Sequence, residues 1–426
     1  MIHQFRVKNH LSIREEQILD FTASSDKTYE EYTIATIRNY RISKIGVIYG
    51  TNASGKSNIL ISLSWLLDYI VSEKDPKKKE TDIDITPFLL DENSRNEHTE
   101  MYLSFFIEDV RYEYSIELDK TRIYKEEMYY YPINRKALIY ERKWNPSKEY
   151  SSLSFGNSLK LNSLQKITIH TNSVHKLTVL SAYAHANIEK NIELEKLKSF
   201  FTKKAMPLLT GQTEIGSYAN KNLKENNTCK EFVRDILSKA DFNISDLFIK
   251  ERTEEISDDM WKRLKAFAAL IEEPEPQDRN ISSDELFFTH KTPFFQETFE
   301  DNLESQGTRR MYGLSVILFW LVKHNRILLA DELESSLHYD LLVYFIKLFL
   351  VNSKYGQLIF STHSLMLLDE KIIRRDMTFF AEKNIAGATE IFKAKDFGLH
   401  KDVSVLNAYR AGKLGAKPEL GSIYLD

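Results

Sequence analysis

Apolar residues follow two different periods along this chain. Between 99 and 142 they alternate with polar residues, and the segments Met101–Ile107, Tyr112–Ile116 and Glu127–Tyr131 are rich in aromatic and β-branched side chains. This pattern is typical of antiparallel strands. Towards the end of the chain, short apolar runs alternate with longer segments of helical period, which predicts a mainly parallel sheet covered on both faces. Together the patterns predict an α/β fold with an antiparallel β meander.

The bounds of these runs predict individual elements. The late elements are helix Arg309–Lys323, strand Arg326–Ala330, helix Leu337–Asn352, strand Gly356–Ser361, and strands near Met377–Glu382 and Ala388–Lys393. At the start, two short strands, Phe5–Lys8 and Gln17–Phe21, are predicted to form a hairpin beside the strand Ile42–Tyr49. A helix is predicted to follow from Ser57 to about Val71, where a charged segment ends it.

The middle of the chain has helical period. Helices are predicted at Ile188–Lys204, Thr228–Ala240 and Asp258–Glu272. A polar break that contains Pro274 follows the last of them. No heptad persists for the three or four repeats that a coiled coil needs, so we expect a compact insertion instead of a long arm. The expected domains are an N-terminal head lobe at 1–180, a mainly helical insertion at 181–295 and a C-terminal head lobe at 296–426.

Composition limits the class of protein. The 426 residues are 42% hydrophobic and 28% charged, enough for a large core and two domains, and the formal net charge is −4. An overall basic field is therefore excluded, and only a local patch such as Lys77–Lys79 or Lys203–Lys204 leaves DNA binding possible. Cys229 is the only cysteine, which excludes an internal disulfide and cysteine-based zinc sites. Without a signal-peptide pattern or an apolar run of about 18–20 residues, a cytoplasmic protein with no membrane segment is expected.

The strongest chemical signal is a glycine-bounded loop between a strand and a helix. Gly50–Ser57 fits the spacing G-x-x-x-x-G-K-[ST], in which the glycines let consecutive backbone N–H groups point at a polyphosphate. Lys56 is expected to reach the β- and γ-phosphates, and the hydroxyl of Ser57 is expected to bind Mg²⁺. The predicted nucleotide-binding residues here are Gly50, Asn52, Ala53, Ser54, Gly55, Lys56, Ser57 and Asn58.

Two carboxylates follow a buried strand late in the chain. The apolar run Ile327–Ala330 ends in Asp331 and Glu332, and the loop Glu334–His338 then opens a helix. If this strand ends beside the phosphate-binding loop, Asp331 can hold Mg²⁺ and Glu332 can orient or deprotonate the attacking water. Acidic residues also cap ordinary strands at protein surfaces, and this is the alternative.

Two further segments gain weight from their position near these motifs. The buried strand Leu358–Ser361 is followed by His363, whose imidazole can donate to the γ-phosphate or to the attacking water; alone, such a histidine is more often structural. Ser305, Gly307 and Thr308 precede an apolar helix, where hydroxyl groups, backbone N–H groups and the helix dipole make an anion site. On its own, N-capping by Ser305 or Thr308 explains the same residues.

In this order, the motifs resemble those of the ABC-type ATPases of the SMC, RecF and OLD-nuclease clade. They most resemble the stand-alone AAA-family ATPases of prokaryotic abortive-infection and antiphage operons, the AbiL-type and PARIS AriA-like proteins. Phe5–Ile13 resembles the opening K-N-F-x-S-[FI] strand of the clade, with His10 in place of the usual phenylalanine, and Ala408–Pro418 resembles the Y-x-x-G-x-x-G-A-x-P ending of the subgroup. The resemblance implies an ABC-type P-loop ATPase head with a compact helical insertion.

The same resemblance implies a Mg²⁺-dependent ATPase that forms a homodimer, or a higher homo-oligomer, around ATP. The segment Ser305–Thr308 of one subunit would close over the nucleotide bound to the P-loop of the other. The roles that the resemblance carries over are catalytic for Lys56, Glu332 and His363, and metal-binding for Ser57 and Asp331.

Three hypotheses for the biological role differ in class. OLD-type relatives carry a Toprim nuclease after the head, and the stretch after His363 is too short for one, so the first is an antiphage ATPase that controls a separate nuclease- or Toprim-like effector from the same operon. The alternative is a DNA-repair or chromosome-associated ATPase of the SMC/RecF kind that binds DNA. The third is a scaffold that holds nucleotide without hydrolysis.

The tyrosines of the meander fit either of two roles. They could stack on bases, but tyrosines in a sheet more often pack against their neighbours in the sheet.

Overall fold

The computed structural model describes residues 1–72, 82–133, 135–240, 243–270, 278–400 and 403–416. The strands, in chain order, are β1 Ile2–Lys8, β2 Gln17–Asp20, β3 Ile34–Ile37, β4 Tyr40–Ser43, β5 Ile45–Gly50, β6 Thr99–Ile107, β7 Val110–Leu118, β8 Ile123–Tyr131, β9 Ala137–Asn145, β10 Tyr150–Phe155, β11 Ile244–Glu255, β12 Asn280–Lys291, β13 Gln296–Glu300, β14 Ile327–Ala330, β15 Gln357–Ser361, β16 Thr378–Lys383 and β17 Thr389–Lys393.

The α-helices are α1 Glu30–Thr33, α2 Lys56–Tyr69, α3 Ser163–Asn172, α4 Val179–Ala184, α5 Ile192–Lys203, α6 Gly216–Glu225, α7 Asn227–Lys239, α8 Asp258–Leu270, α9 Gln306–Lys323, α10 Tyr339–Asn352 and α11 Val405–Arg410. None of the helices among the described residues is both long enough and apolar enough to cross a membrane. Three features discussed above lie outside the described residues: the lysine cluster Lys77–Lys79, the break at Pro274, and Pro418 at the end of the closing motif.

The chain divides into two compact units. The first consists of Met1–Gly211, Leu321–Ser335 and Ile346–Asp426, and the second of Gln212–Trp320 and Ser336–Phe345. These bounds differ from the expected insertion at 181–295. Helix α5 belongs to the first unit because its buried side chains, among them Phe200, join the core of the meander, where the Phe200 ring stacks on Phe105 at 4.7 Å.

A five-stranded sheet in the first unit carries the late elements. Its order is β14-β15-β5-β16-β17, with parallel pairing from β14 to β16 and antiparallel pairing of β17. All residues of β14 and β15 are buried, as expected for strands covered on both faces. The mainly parallel sheet and the alternation of strands and helices predicted for this part of the chain are confirmed.

A seven-stranded antiparallel sheet, also in the first unit, contains the predicted meander. Its order is β10-β9-β8-β7-β6-β1-β2. Tyr112, Tyr114 and Tyr140 are buried in the core, so packing within the sheet is the role of these tyrosines. The hairpin β1–β2 forms as predicted, but it does not pair with β5, because β15 and β16 occupy both sides of β5 and β1 pairs with β6. The hairpin reaches the predicted strand Ile42–Tyr49 at its start, where the Ser43 N–H donates to the carbonyl oxygen of Phe21 (2.8 Å).

A buried amide connects these two sheets of the first unit. Gln357, at the start of β15, accepts a hydrogen bond from the backbone N–H of Ile2 (2.7 Å) and donates to the carbonyl oxygens of Ile2 (2.9 Å) and Ser43 (3.2 Å). All three groups are buried, so each bond satisfies a polar atom that water cannot reach. The first strand of the chain is thereby fixed against the sheet that carries the P-loop.

The second unit contains the predicted helices and a sheet that the sequence did not predict. Helices α7 and α8 confirm two of the predictions, but β11, β12 and β13 form a three-stranded antiparallel sheet. The expectation of a mainly helical insertion is therefore incomplete. The reason is local composition, because Lys250–Glu255 in β11 is almost entirely charged and shows no alternation of apolar and polar residues. This part of the strand forms because it pairs with β12 along its whole length.

Candidate functional site

The site lies at one edge of the five-stranded sheet. Strands β14, β15 and β5 are neighbours and run parallel, so their carboxyl ends meet at this edge. Gly50 ends β5 and opens the P-loop, Asp331 and Glu332 follow β14, and His363 follows β15 by two residues. Loops at the carboxyl ends of parallel strands are where α/β folds place their ligands. Three sequence motifs far apart along the chain therefore come together.

The P-loop packs so closely on its surroundings that two positions require glycine. A Cβ atom at Gly50 would lie 2.3 Å from the carbonyl oxygen of Ala381, and one at Gly55 would lie 2.0 Å from Oγ1 of Thr389. Gly55 also has a φ of 103°, a conformation that side chains disfavour. Ser54 is buried, whereas Asn52 and Ala53 are exposed at the outer turn of the loop.

Lys56 is buried at the first residue of α2, and Ser57 follows it. The ammonium group of Lys56 donates to the carbonyl oxygens of Gly50 (3.0 Å) and Thr51 (2.9 Å), which holds the side chain across the loop. Burial lowers the pKa of Lys56 because it penalises the charged form. Three carboxylates oppose this shift, those of Asp331, Glu332 and Glu334. The P-loop amine and the acids after β14 thus share one electrostatic environment, as the sequence predicts.

The hydroxyl of Ser361, the last residue of β15, connects the two acids after β14. It accepts from the backbone N–H of Glu332 (2.8 Å) and donates to Oδ1 of Asp331 (2.5 Å). The backbone N–H of Asp331 in turn donates to the carbonyl oxygen of Leu209 (2.7 Å). Asp331 is therefore held by hydrogen bonds with two other segments, one through its side chain and one through its backbone.

Glu332 and His363 are paired and open to solvent. His363 Nε2 lies 3.6 Å from Glu332 Oε1, and about half of the Glu332 side chain is exposed. Glu332 has a φ of 53°, in the left-handed region that costs a residue other than glycine about 1–3 kcal/mol and is enriched at functional sites. The backbone N–H of His363 donates to Glu334 Oε1 (2.5 Å), so Glu334 fixes the start of the loop that carries the histidine.

Ser305, Gly307 and Thr308 belong to the second unit, at the N-terminus of α9. Ser305 Oγ accepts from the backbone N–H of Thr308 (3.0 Å) and lies 2.8 Å from its hydroxyl oxygen, so Ser305 caps the helix. Ser305 itself is exposed, whereas Thr308 is buried. The anion-binding role of these residues stays a prediction.

His10 supports α2 from below. Its ring is buried, Nδ1 lies 2.8 Å from the hydroxyl oxygen of Ser62, and the ring packs against Trp65 at 6.0 Å. Burial lowers the pKa of His10 to about 4, so the ring is neutral at physiological pH. In this chain the histidine that replaces the usual phenylalanine is a buried residue that packs against the P-loop helix α2.

Four polar residues of the site were not assigned by the sequence: Ser12, Glu334, Ser361 and Thr389. Each lies beside a motif residue, and Ser12, Glu334 and Ser361 even stand within motif segments. No spacing rule distinguishes them from ordinary turn and strand-end residues, because their partners lie on other strands. Their positions next to motifs are the only signal that could have drawn attention to them.

A protein-family model matches most of the chain. A family model described as "AAA domain, putative AbiEii toxin, Type IV TA system" matches residues 45–173 and 217–369, which is more than half of the chain. The matched residues include the P-loop, Ser305–Thr308, Asp331 and Glu332, and His363. No curated protein matches the chain significantly.

Solved structures that resemble the chain include three SMC heads. The SMC head domain from Thermotoga maritima has 13% identity and a TM-score of 0.41, covering 92% of this chain and 98% of that chain. The SMC head bound to the C-winged helix domain of ScpA has 13% identity and a TM-score of 0.41, covering 96% and 99%. An SMC head with an extended coiled coil, bound to the C-terminal domain of ScpA derived from Pyrococcus furiosus, has 13% identity and a TM-score of 0.37, covering 97% and 98%. Scores below 0.5 do not establish a shared function.

Proposed function

We propose that this chain, which belongs to the AAA-domain family of AbiEii-like type IV toxin–antitoxin proteins, binds ATP with Mg²⁺ and hydrolyses it. The observation that carries the proposal is that Lys56, Asp331 and Glu332 lie at one edge of the sheet, beside a glycine loop. A phosphate-binding cation and a metal-binding acid are the two parts that P-loop ATPases need in contact with a triphosphate.

The residues present fit Mg²⁺. The hydroxyl of Ser57 and the carboxylate of Asp331 are hard oxygen donors, and Mg²⁺ in such sites is held by one or two protein oxygens together with water and phosphate. Among the described residues, no group of three or more histidine, cysteine, aspartate or glutamate side chains could hold a metal by itself. When bound, Mg²⁺ would neutralise charge on the phosphates.

Each protein group has a task that its surroundings support. Lys56 binds phosphate oxygens through its ammonium group, and the backbone N–H groups of the loop surround the same oxygens. The exposed carboxylate of Glu332 accepts a proton from the attacking water, and His363 beside it donates to the γ-phosphate. The two hydrogen bonds of Ser361 fix the position of the Asp331 carboxylate relative to the backbone of Glu332.

At the level of biology, the proposed role is an ATP-dependent switch in a prokaryotic antiphage or abortive-infection system. ATP would bring two copies together head to head, with Ser305–Thr308 of one closing on the nucleotide of the other. The exposed position of Ser305 supports this arrangement, and the toxin–antitoxin description of the family supports the proposed biological role. The dimer would then hold or release a separate toxic effector, and γ-phosphate contacts would set its assembly state.

Glu332→Gln tests the hydrolytic role. The amide cannot accept the proton, so we expect kcat for ATP hydrolysis to fall at least about 100-fold while ATP binding persists. Hydrolysis is measured as phosphate release with Mg²⁺, and binding by titration calorimetry. The matched control is Glu370→Gln, which changes a glutamate that pairs with Lys347 and lies outside the site. Equal turnover by wild type and Glu332→Gln would contradict the proposal.

A further inference from the structure

The P-loop rests on a chain of four polar groups that comes from both ends of the sequence. Asn58 Nδ2, in the first turn of α2, donates to Ser12 Oγ (2.7 Å). Ser12 Oγ lies 2.7 Å from Thr389 Oγ1, and Thr389 Oγ1 donates to the carbonyl oxygen of Ser54 (2.9 Å). The backbone N–H of Thr389 also donates to the carbonyl oxygen of Ser12 (2.8 Å), so these two residues are joined twice.

The direction of this chain follows from counting protons. Each hydroxyl has a single proton to donate. Thr389 gives its proton to the carbonyl oxygen of Ser54, so between the two hydroxyls Ser12 must be the donor. Ser12 in turn accepts from the amide of Asn58. Each hydroxyl therefore accepts one hydrogen bond and donates one, so removal of either hydroxyl interrupts the series of bonds from Asn58 to Ser54.

Contact with the loop is as close as packing allows. Thr389 is 1% exposed, and its Oγ1 lies where it would be 2.0 Å from a Cβ atom at Gly55. Its methyl carbon would lie 2.7 Å from the same atom. Gly55 immediately precedes Lys56, so a displaced Thr389 moves the backbone N–H groups and the lysine that face the phosphates.

From this geometry we infer that Ser12 and Thr389 are positioning residues for ATP binding, which hold the P-loop in its phosphate-binding conformation through the hydroxyl chain. The inference rests on the proposed function, and neither residue needs to touch the nucleotide. The turn after β1, which contains Ser12, and the β16–β17 hairpin thus control the affinity of the P-loop for ATP. The conformation of either segment is therefore coupled to nucleotide binding.

Thr389→Val tests the inference because it removes the hydroxyl and keeps the branched shape. We expect the Kd for ATP to rise about tenfold, which corresponds to the loss of one buried hydrogen bond of about 1.4 kcal/mol. Thr389→Ser keeps the hydroxyl and is expected to stay within about threefold of wild type. Ser12→Ala should also raise the Kd, and the double variant should be no weaker than Thr389→Val, because the chain is already broken.

Thr378→Val is the matched structural control. Thr378 is buried on the same hairpin, and its hydroxyl donates to the carbonyl oxygen of Arg374 (3.1 Å), away from the loop. We expect it to lower Tm by as much as Thr389→Val without changing the Kd for ATP. If Thr389→Val binds ATP as tightly as an ATP-binding wild type, or if the two single effects add in full, the inference is wrong. If the wild type itself binds no ATP, the proposed function fails and the inference fails with it.

Discussion

At the scale of single residues, the site depends on Ser361, a small side chain with two partners. Its hydroxyl accepts from the backbone N–H of Glu332 and donates to the Asp331 carboxylate. Because Glu332 sits in the left-handed region, its backbone needs a neighbour that stabilises this conformation. The bond from its N–H to Ser361 supplies one.

Ser361→Ala is therefore expected to lower kcat more than it changes KM for ATP. Without the hydroxyl, Asp331 and Glu332, the carboxylates proposed to bind the metal and to activate the water, lose the side chain that both of them contact, and small misplacements of catalytic groups cost about 10- to 100-fold in rate. Steady-state phosphate release measures both constants. The control is Ser353→Ala, which removes a buried hydroxyl that accepts from Gly356 N–H (3.0 Å), before β15 begins. An unchanged kcat in Ser361→Ala would contradict this role.

At the scale of elements, the meander buries an acid and a base opposite each other on β8 and β9. Glu126 pairs in register with Arg142, and neither side chain is more than 1% exposed. The carboxylate accepts from the backbone N–H of Val179, and the guanidinium donates to the carbonyl oxygens of Leu177 and Val174. These bonds fasten the segment before α4 to the sheet. Two tyrosine hydroxyls also donate to the carboxylate, those of Tyr114 and Tyr140.

This buried carboxyl predicts a pH dependence of stability. Burial raises the pKa of Glu126 from 4.5 to about 7. Between these values the folded chain holds more protons than the unfolded chain, so the free energy of unfolding contributed by this group falls as pH rises, by at most about 1.4 kcal/mol per pH unit. Urea denaturation of wild type and Glu126→Gln across pH 4.5–7 measures the difference.

The comparison with Glu126→Gln isolates the carboxyl. His10 titrates in the same interval with the opposite sign: its pKa is lowered, so its contribution to stability is present at neutral pH and is lost as pH falls towards 4. That contribution is common to both proteins and cancels in the difference. Parallel stability profiles for wild type and Glu126→Gln would show that folding does not raise the pKa of Glu126.

At the scale of the whole molecule, the residues assigned to ATP fall into two units. The P-loop and the acids after β14 belong to the first, and Ser305–Thr308 belongs to the second. In the proposed dimer, a complete site takes its P-loop from one copy and Ser305–Thr308 from the other. Two variants that are each inactive for different reasons should then complement each other.

Mixing Lys56→Ala with Ser305→Asp tests that arrangement. Aspartate keeps the N-cap of α9 but repels phosphate, and alanine at 56 removes the phosphate-binding cation. In a random mixture, half of the dimers are mixed and each holds one intact site of two, so about a quarter of wild-type ATPase activity should return. Ser305→Asn keeps the cap without the charge and should stay active. If no activity returns on mixing, the site is not shared between copies.

The structure bears out much of what the sequence predicts, for a local reason. A P-loop is a continuous segment whose glycines, lysine and hydroxyl act at fixed spacing, so Gly50–Ser57 can be recognised without its surroundings. Apolar runs such as those of β14 and β15 predict buried strands in the same way, from the local sequence alone. The sequence did not predict the sheet of the second unit, because apolar and polar residues do not alternate in Lys250–Glu255. A strand of that kind forms through its pairing with a neighbouring strand, here β12.

What the sequence alone determined is a set of local motifs: a glycine-bounded loop with P-loop spacing, a buried strand that ends before two acids, and a histidine after the next strand. What only the tertiary structure decided is how these parts support one another. The hydroxyl of Ser361 connects the Asp331 carboxylate with the backbone of Glu332, after another strand, and the hydrogen bonds from Asn58 to Thr389 join segments more than 300 residues apart. Such hydrogen bonds form between groups that only folding brings together. The sequence around a serine or threonine therefore does not indicate which distant group its hydroxyl will bind.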